Sequence, residues 1–458
     1  MIKTIISLSG DILRRVFLTC AFIASAVATY AAFPYQIKGI DPEKVAVLIY
    51  DLQADSVVMD HNGSLWLVPA SVMKSVTSAA VLSTQDGERR FTTPVFAQGE
   101  IAGSTLRGNL VIECCGDPTI ESRHFPDNLG FADSIAAAVA RSGISNIAGD
   151  IMIGTGGFAN PGTPASWLKE DILWPYGTGL YGANYKDNTI KMSLPSGTME
   201  PAVPGTTISK QGGKGGLKVS RDLDSRQFVV TGTIPRRGHS DTYANPNPAA
   251  SMKHEVVAAL QRRGISVSAG KLTPEPTTTL IYTHTSPTVR EILRSLMVRS
   301  DNMMAEGMLR SLAPAGGTRA DAIERESFLW EDFGIDTDRL VIEDGSGLSR
   351  ANRLSALFLT GLYRQMLQTG VAADYVALFP RAGMDGTMKN FLRGTALEGR
   401  VAMKTGSMRG IQCFGGYMLD KDGCPTHTIV VLVNGFTADR AAVKNHIANM
   451  LLDRLATN

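Results

Sequence analysis

Runs of β-forming apolar residues stand near both ends of this 458-residue chain, each beside a helical pattern, and nothing else constrains its fold as tightly. Residues 45–50 form a compact apolar run. Residues 56–59 follow it after Asp51-Leu52-Gln53-Ala54-Asp55, which reads as a hairpin around a polar turn. Towards the other end, residues 400–404, 413–419 and 428–434 read as strands, the last two joined by a Lys421-Asp422-Gly423 turn. An amphipathic helix over residues 437–455 follows. Strands at both ends, each next to a helix, predict one sheet shared by the two ends.

Between them the texture changes twice. A helix is predicted from near Ser71 to before Asp86-Gly87, with Val72, Met73, Val76, Ala79, Ala80 and Leu82 on its buried face. From about residue 92 to residue 283, glycine and proline cluster, as in Pro161-Gly162-Thr163-Pro164 and Gly212-Gly213-Lys214-Gly215-Gly216. Short β-like runs at 110–112, 151–153, 189–194 and 228–231 lie between these turn signals, with helices predicted over 131–142 and 249–263. Nothing there pairs a nucleophile with a base, and the region reads as one or two non-catalytic insertions. Helical periodicity returns at 289–297, 303–312, 320–333 and 355–369, with a loop at Gly345-Ser346-Gly347.

A chain of this length suggests two or three domains, and a hydrophobic fraction of 44% supports a sizeable core. The formal net charge of +2 and the absence of long basic runs leave no footprint for nucleic acid. Lys3, Arg14 and Arg15 precede an uncharged apolar run over 16–28 with Ala-x-Ala patterns at its end, the layout of a secretory signal. An uncleaved anchor is the alternative, although a spanning helix needs roughly 20 apolar residues. Lipidation at Cys20 is disfavoured by Thr19 before it and by the closeness of the basic pair. Removal of the signal leaves Cys114, Cys115, Cys413 and Cys424, an even number that permits disulfides, with buried thiols as the alternative. The seven histidines are scattered without metal-ligand spacing, so neither a metal cofactor nor a serine–histidine pair is expected.

Three short motifs carry chemistry. Ser71 and Lys74 stand one helical turn apart on one face, and a serine becomes a nucleophile when a base of lowered proton affinity lies beside it. Alone the pair means little, since Ser166 and Lys169 repeat the spacing. Ser300-Asp301-Asn302 opens a helix, where it also reads as an ordinary cap, and Lys404-Thr405-Gly406-Ser407 sits on a late strand. Together the three have a coherent physics. A second lysine near Lys74, together with partial burial, lowers its proton affinity. Ser300 can relay a proton, and Asn302 can bond both a lysine and a substrate amide. The N–H groups of Ser71 and Ser407 can form an oxyanion hole, where one lost donor costs about 3 kcal/mol in the barrier. Thr405, Ser407 and the Lys404 charge can grip a free carboxylate.

In the order Ser-x-x-Lys, Ser-x-Asn, Lys-Thr-Gly these motifs form the signature of penicillin-binding proteins and serine β-lactamases. The chain resembles a low-molecular-mass class C penicillin-binding protein of the D-alanyl-D-alanine carboxypeptidase/endopeptidase type. Ser300-Asp301-Asn302-Met303-Met304-Ala305-Glu306, Asp344-Gly345-Ser346-Gly347-Leu348-Ser349-Arg350, Ala382-Gly383-Met384-Asp385-Gly386-Thr387-Met388 and Gly116-Asp117-Pro118-Thr119 are similar to segments of that family. The long gap from Ser71 to Ser300 also resembles this branch. Cys114-Cys115 and Arg409 depart from it, at positions where smaller or neutral residues are usual.

The resemblance implies an α/β (α+β) fold: a penicillin-binding, β-lactamase-like transpeptidase domain with an antiparallel sheet flanked by helices, plus β-rich inserted domains. Residues 1–31 are then a signal peptide, 38–95 and 284–458 a discontinuous catalytic domain, and 96–283 the insertion, in two subdomains. The implied enzyme is exported to the periplasm, needs no cofactor, and cleaves terminal D-Ala-D-Ala bonds of peptidoglycan stem peptides through an acyl-enzyme on Ser71. Cross-bridge cleavage is the same chemistry with another leaving amine. Lys74, Ser300, Asn302 and Lys404 complete the catalytic set, and Thr405, Gly406, Ser407, Arg350 and Arg409 the substrate set. Expected partners are stem peptides and β-lactams, with peripheral membrane or wall association. A β-lactamase and a non-catalytic peptidoglycan-binding protein are the rival readings.

Overall fold

The computed structural model describes residues 38–156, 162–223, 225–268 and 277–456. The expected signal peptide lies outside them. A five-stranded antiparallel sheet runs in the order Val401–Met408, Ile411–Leu419, Pro425–Asn434, Val45–Asp51, Ser56–His61. The two ends of the sequence therefore meet as sheet neighbours, with Val47 opposite Val431. Strand period two sends alternate side chains to opposite faces. Ala46, Leu48, Val430 and Leu432 enter one core, and Val45, Val47, Ile49, Val431 and Val433 the other. That double burial explains why these strands read as continuous apolar runs.

The helix Arg440–Leu455 covers one face. On the other lies Met73–Thr84, buried from Met73 to Leu82 on every side. Helices Val289–Arg299, Asn302–Arg310 and Ala356–Met366 pack into the same core. The sequence predicted only one apolar face for the central helix. Two of its buried polar side chains find backbone partners, Ser75 donating to the Val72 carbonyl at 2.7 Å and Thr77 to the Gly345 carbonyl at 3.0 Å, while Ser78 Oγ has none. The short helix Ala372–Ala377 has no counterpart in the sequence reading.

The intervening chain leaves on the strand Arg90–Ala102 and returns on Thr278–Thr288, and these two pair with each other, Arg90 opposite Thr288. The same pair forms part of a larger sheet with Thr105–Glu113, Asn146–Ala148, Ser266–Ser268 and Ile151–Gly154, over which helices Phe131–Arg141 and Pro248–Arg262 share a core. Beyond it stand two three-stranded sheets. One contains Lys218–Ser220, Gln227–Thr233 and Thr207–Gly216, the other His239–Ala244, Thr189–Leu194 and Thr198–Glu200. The glycine cluster ending at Gly216 reads as a turn but lies on a strand. Gly216 pairs opposite Thr233 across a register shift, and a Cβ on Gly232 would come within 2.2 Å of the Gly216 carbonyl. The four cysteines among the described residues are free thiols, Cys114 and Cys413 buried. No helix among the described residues is long and apolar enough to cross a membrane.

Candidate active site

Ser71 lies in a single 3₁₀ turn, Ala70–Val72, that leads directly into the central helix. The residue before it, Ala70, holds a φ of 47° in the left-handed region that a side chain disfavours. Two glycines clamp this turn. A Cβ on Gly347 would stand 1.9 Å from the Ala70 carbonyl oxygen, and one on Gly406 would stand 2.5 Å from that of Pro69 and 3.1 Å from the Ser71 nitrogen. Gly406 is thus the residue that lets the Lys-Thr-Gly strand pass against the Ser71 amide, and Ser407 follows it. The constraint is close backbone approach, which only glycine permits.

Lys74, one turn on, is fully buried. Its Nζ donates to Ser71 Oγ at 3.1 Å, Asn302 Oδ1 at 2.6 Å and the Ser346 carbonyl at 2.6 Å. Ser300 caps the end of Val289–Arg299 with a φ of 63°, and Asp301 caps the next helix through the Met304 N–H at 2.8 Å. Asp301 therefore does the capping that the sequence offered to the whole motif. That leaves Ser300 for Lys404, whose Nζ donates to Ser300 Oγ at 2.9 Å and to the Thr405 carbonyl at 2.8 Å. The five residues of the three motifs are joined by hydrogen bonds into two groups, Ser71–Lys74–Asn302 and Ser300–Lys404.

Burial lowers the Lys74 proton affinity to about 8, while Asp344, Asp301 and Glu306 pull it back up. Burial, with the Lys74 charge behind it, holds Lys404 well below the ordinary lysine range. Desolvation is thus the leading cause for both amines; the repulsion that the sequence reading expected to lower Lys74 acts instead on Lys404.

The substrate set is placed unevenly. Thr405 Oγ1 bonds Thr387 Oγ1 at 2.8 Å, and the exposed Ser407 turns its Oγ to Gln412 Oε1 at 2.9 Å. Arg350 directs both terminal nitrogens to the Arg409 carbonyl, at 3.4 and 3.3 Å, while the Arg409 side chain is exposed. Arg350 is thus held by the backbone oxygen of Arg409, just past the end of the strand Val401–Met408. Ser166 and Lys169 stand in the insertion, and Ser166 Oγ is buried without a hydrogen-bond partner.

Several contributors escaped the sequence reading. Asn302 Nδ2 donates to the Tyr176 carbonyl at 2.7 Å, so the insertion reaches the second motif directly. Trp167 Nε1 donates to Asp344 Oδ2 at 2.7 Å, and Asp344 also accepts from Ser349 N, Gly347 N and Asn352 Nδ2. Asp344 thereby ties down the loop whose Ser346 carbonyl holds Lys74. The available signal was the acidic residue ahead of Gly345-Ser346-Gly347. Nothing local marks Trp167 or Tyr176.

The family model of the D-Ala-D-Ala carboxypeptidase 3 (S13) family matches residues 31–457. A D-alanyl-D-alanine carboxypeptidase of Actinomadura sp. (strain R39) is 29% identical over 420 residues, covering 84% of this chain and 77% of the relative. The crystal structure of penicillin binding protein 4 (dacB) from Haemophilus influenzae superposes with a TM-score of 0.78 at 22% identity, over 91% of this chain and 97% of that one. A second structure of that protein, complexed with a novel β-lactam, gives a TM-score of 0.73 at 22% identity, over 89% and 95% of the two chains. These likenesses bear out the fold that the motifs implied. With both ends of the match lying outside the shared sheet and the whole insertion included, the chain belongs to the D-Ala-D-Ala carboxypeptidase 3 (S13) family.

Proposed function

We propose that this protein is a serine-type D-Ala-D-Ala carboxypeptidase acting on peptidoglycan stem peptides through an acyl-enzyme on Ser71, with DD-endopeptidase cleavage as the same chemistry on a cross-bridge. The observation that carries the reading is the fully buried Lys74 amine 3.1 Å from Ser71 Oγ. At a proton affinity near 8 a useful fraction of this amine is neutral, so it can take the Ser71 proton as Oγ attacks the penultimate D-Ala carbonyl carbon. The Ser71 and Ser407 N–H groups stabilise the oxyanion. Collapse breaks the peptide bond, and Ser300 relays the proton that Lys74 took from Ser71 to the departing D-Ala amine, which leaves Lys74 neutral again. Water then hydrolyses the ester with Lys74 as base.

Thr405, Ser407 and Lys404 receive the terminal carboxylate. Burial holds the Lys404 proton affinity well below the ordinary lysine range, and an anion beside it raises that affinity. Arg409 follows the end of the same strand and Arg350 bonds its carbonyl from a separate loop, and both meet acidic groups of the stem peptide on this reading. Unchanged discrimination against an amidated stem peptide in Arg409→Ala would remove Arg409 from that role.

Residues 38–95 and 284–458 make the catalytic domain on this reading, and 96–283 the insertion. Support comes from the paired strands Arg90–Ala102 and Thr278–Thr288, which bring both junctions together. The basic flank and apolar run near residue 1 support export to the periplasm, testable by cell fractionation.

β-Lactam binding has the complexed Haemophilus structure behind it. The deciding experiment incubates the protein with labelled penicillin and, separately, with a pentapeptide ending in D-Ala-D-Ala. Stable labelling lost in Ser71→Ala, together with D-alanine release, is expected. Rapid penicillin turnover would favour a β-lactamase, and no labelling a binding protein.

A further inference from the structure

Behind Lys74 lie carboxyl groups that the reaction above does not use. Glu306, on the helix Asn302–Arg310, is 1% exposed. Its Oε1 accepts from the Ser346 backbone N–H at 2.9 Å, and the carbonyl of the same Ser346 accepts from Lys74 Nζ at 2.6 Å. We propose that Glu306 is a positioning residue for the Lys74 amine, acting through Ser346: its carboxyl fixes one polar end of that residue and so sets the other against the amine.

The loop around Ser346 can transmit such a restraint because it has no room to slide. A Cβ on Gly345 would meet Leu309 Cβ at 2.8 Å and the Ala305 carbonyl at 2.9 Å, and Thr77 holds the Gly345 carbonyl. Asp344 accepts the Gly347 N–H at 2.7 Å, and Gly347 lies against Ala70. Movement at Ser346 is therefore felt by Lys74 and by the turn that carries Ser71.

Charge reaches Glu306 from each element packed on it. The central helix contributes Lys74, and the loop contributes Asp344. The helix Arg319–Asp332 contributes Arg319, whose Nε lies 3.7 Å from Glu306 Oε2 and whose Nη2 donates to the Gly162 carbonyl of the insertion. It also contributes Glu326, 1% exposed, with no hydrogen bond to either oxygen. In the insertion, Asp117 precedes Pro118, which packs on Gly307, but is turned to Thr119.

Burial pushes Glu306 up to about 7, with the Asp344 charge adding to it, and pushes Glu326 up to about 8. Glu306 thus changes charge just below the range where a lysine of about 8 is titrating, and Glu326 changes charge within it. Either form of Glu306 accepts from Ser346, so position is kept across the range. The anion additionally holds the Lys74 proton affinity up.

The inference rests on Ser71 and Lys74 as nucleophile and base, and its test separates the two readings. The rate of penicillin adduct formation is followed by intact mass from pH 5 to 10 in the unmodified protein, Glu306→Gln and Glu306→Ala, with melting curves alongside. Glu306→Gln retains an acceptor, so its plateau rate is expected to be near that of the unmodified protein, with the acid limb displaced about one pH unit lower. Glu306→Ala is expected to acylate about 10- to 100-fold more slowly throughout. A purely structural residue would lower melting temperature in both variants and leave the limb in place. A limb unmoved in Glu306→Gln, or a Glu306→Ala rate equal to that of the unmodified protein, overturns the proposal. If Glu306→Ala does not fold, the limb in Glu306→Gln decides alone. An unmodified protein that takes no label overturns the functional reading and this inference with it.

Discussion

The strand Ile411–Leu419 is buried at every position, whereas Thr207–Gly216, in the far part of the insertion, is exposed over most of its length. Both are strands of antiparallel or mixed sheets, but they serve different ends. The first is packed on two faces by cores that run through the catalytic body, and it supports the Lys404 strand in register, Lys404 opposite Gly415. The second rests on a small cluster formed by Leu173, Ile190, Met192, Val203, Phe228 and Tyr243. Dry, over-determined packing is what strips the two lysines of water and lowers their proton affinity. The outer insertion has no such task. Between the two stands the segment carrying Trp167 and Tyr176, which belongs to the insertion by sequence and to the site by contact.

The largest test of this contrast is Lys74→Ala, expected to slow penicillin acylation about 10³-fold, read by adduct mass against time. A rate within tenfold of the unmodified protein would break the link between burial and chemistry. Next, Leu432→Ala in the body is expected to cost about 2–5 kcal/mol, so that penicillin labelling disappears at lower temperature. Phe228→Ala in the outer cluster is expected to leave the acylation rate within about twofold despite a similar local loss. Labelling that fails equally in both would show the two regions to be one cooperative unit.

The body also buries charge at a cost, which can be titrated. Burial raises the Glu326 carboxyl to about 8, above its unfolded value, so its native state holds a proton that the unfolded chain gives up earlier. The stability tied to that proton is complete near pH 4 and is lost as pH rises towards 8. Glu326→Gln is therefore expected to stabilise the protein by on the order of 3 kcal/mol at pH 8 and hardly at all at pH 4, as chemical denaturation at the two pH values would show. A gain equal at both would deny the raised affinity. The smallest effect concerns the intermediate segment. Trp167→Phe keeps the ring but takes one donor from Asp344, and a loss of about 1–2 kcal/mol in the acylation barrier is expected from stopped-flow or quench rates. No loss would return Trp167 to the packing of the insertion.

What the sequence made legible follows the same line. Ser71, Lys74, Ser300, Asn302 and Lys404 could be read because each motif sets local geometry, and the structure joins them as the motifs imply. The shared sheet was readable from apolar runs that need burial on both faces. Contacts made only by tertiary packing were not. Glu306 reaches Ser346 across 40 residues, Tyr176 reaches Asn302 across 126 and Trp167 reaches Asp344 across 177. The glycines near Gly216 look like turn residues, since glycine permits turns and tight strand approaches alike, and composition does not separate them. Arg350 failed to declare its partner for a related reason, because a carbonyl acceptor has no side-chain signature.

The pairing of Val45–Asp51 with Pro425–Asn434 also sets a timetable. During synthesis Ser71 and Lys74 emerge early, but the strand that brings Lys404, and the neighbour that anchors it, come only after the whole insertion and the helices beyond it. Until then Lys74 stands in water with an ordinary lysine charge and is no base. A nascent or truncated chain therefore lacks the burial that lowers the Lys74 proton affinity until the final strands close the sheet.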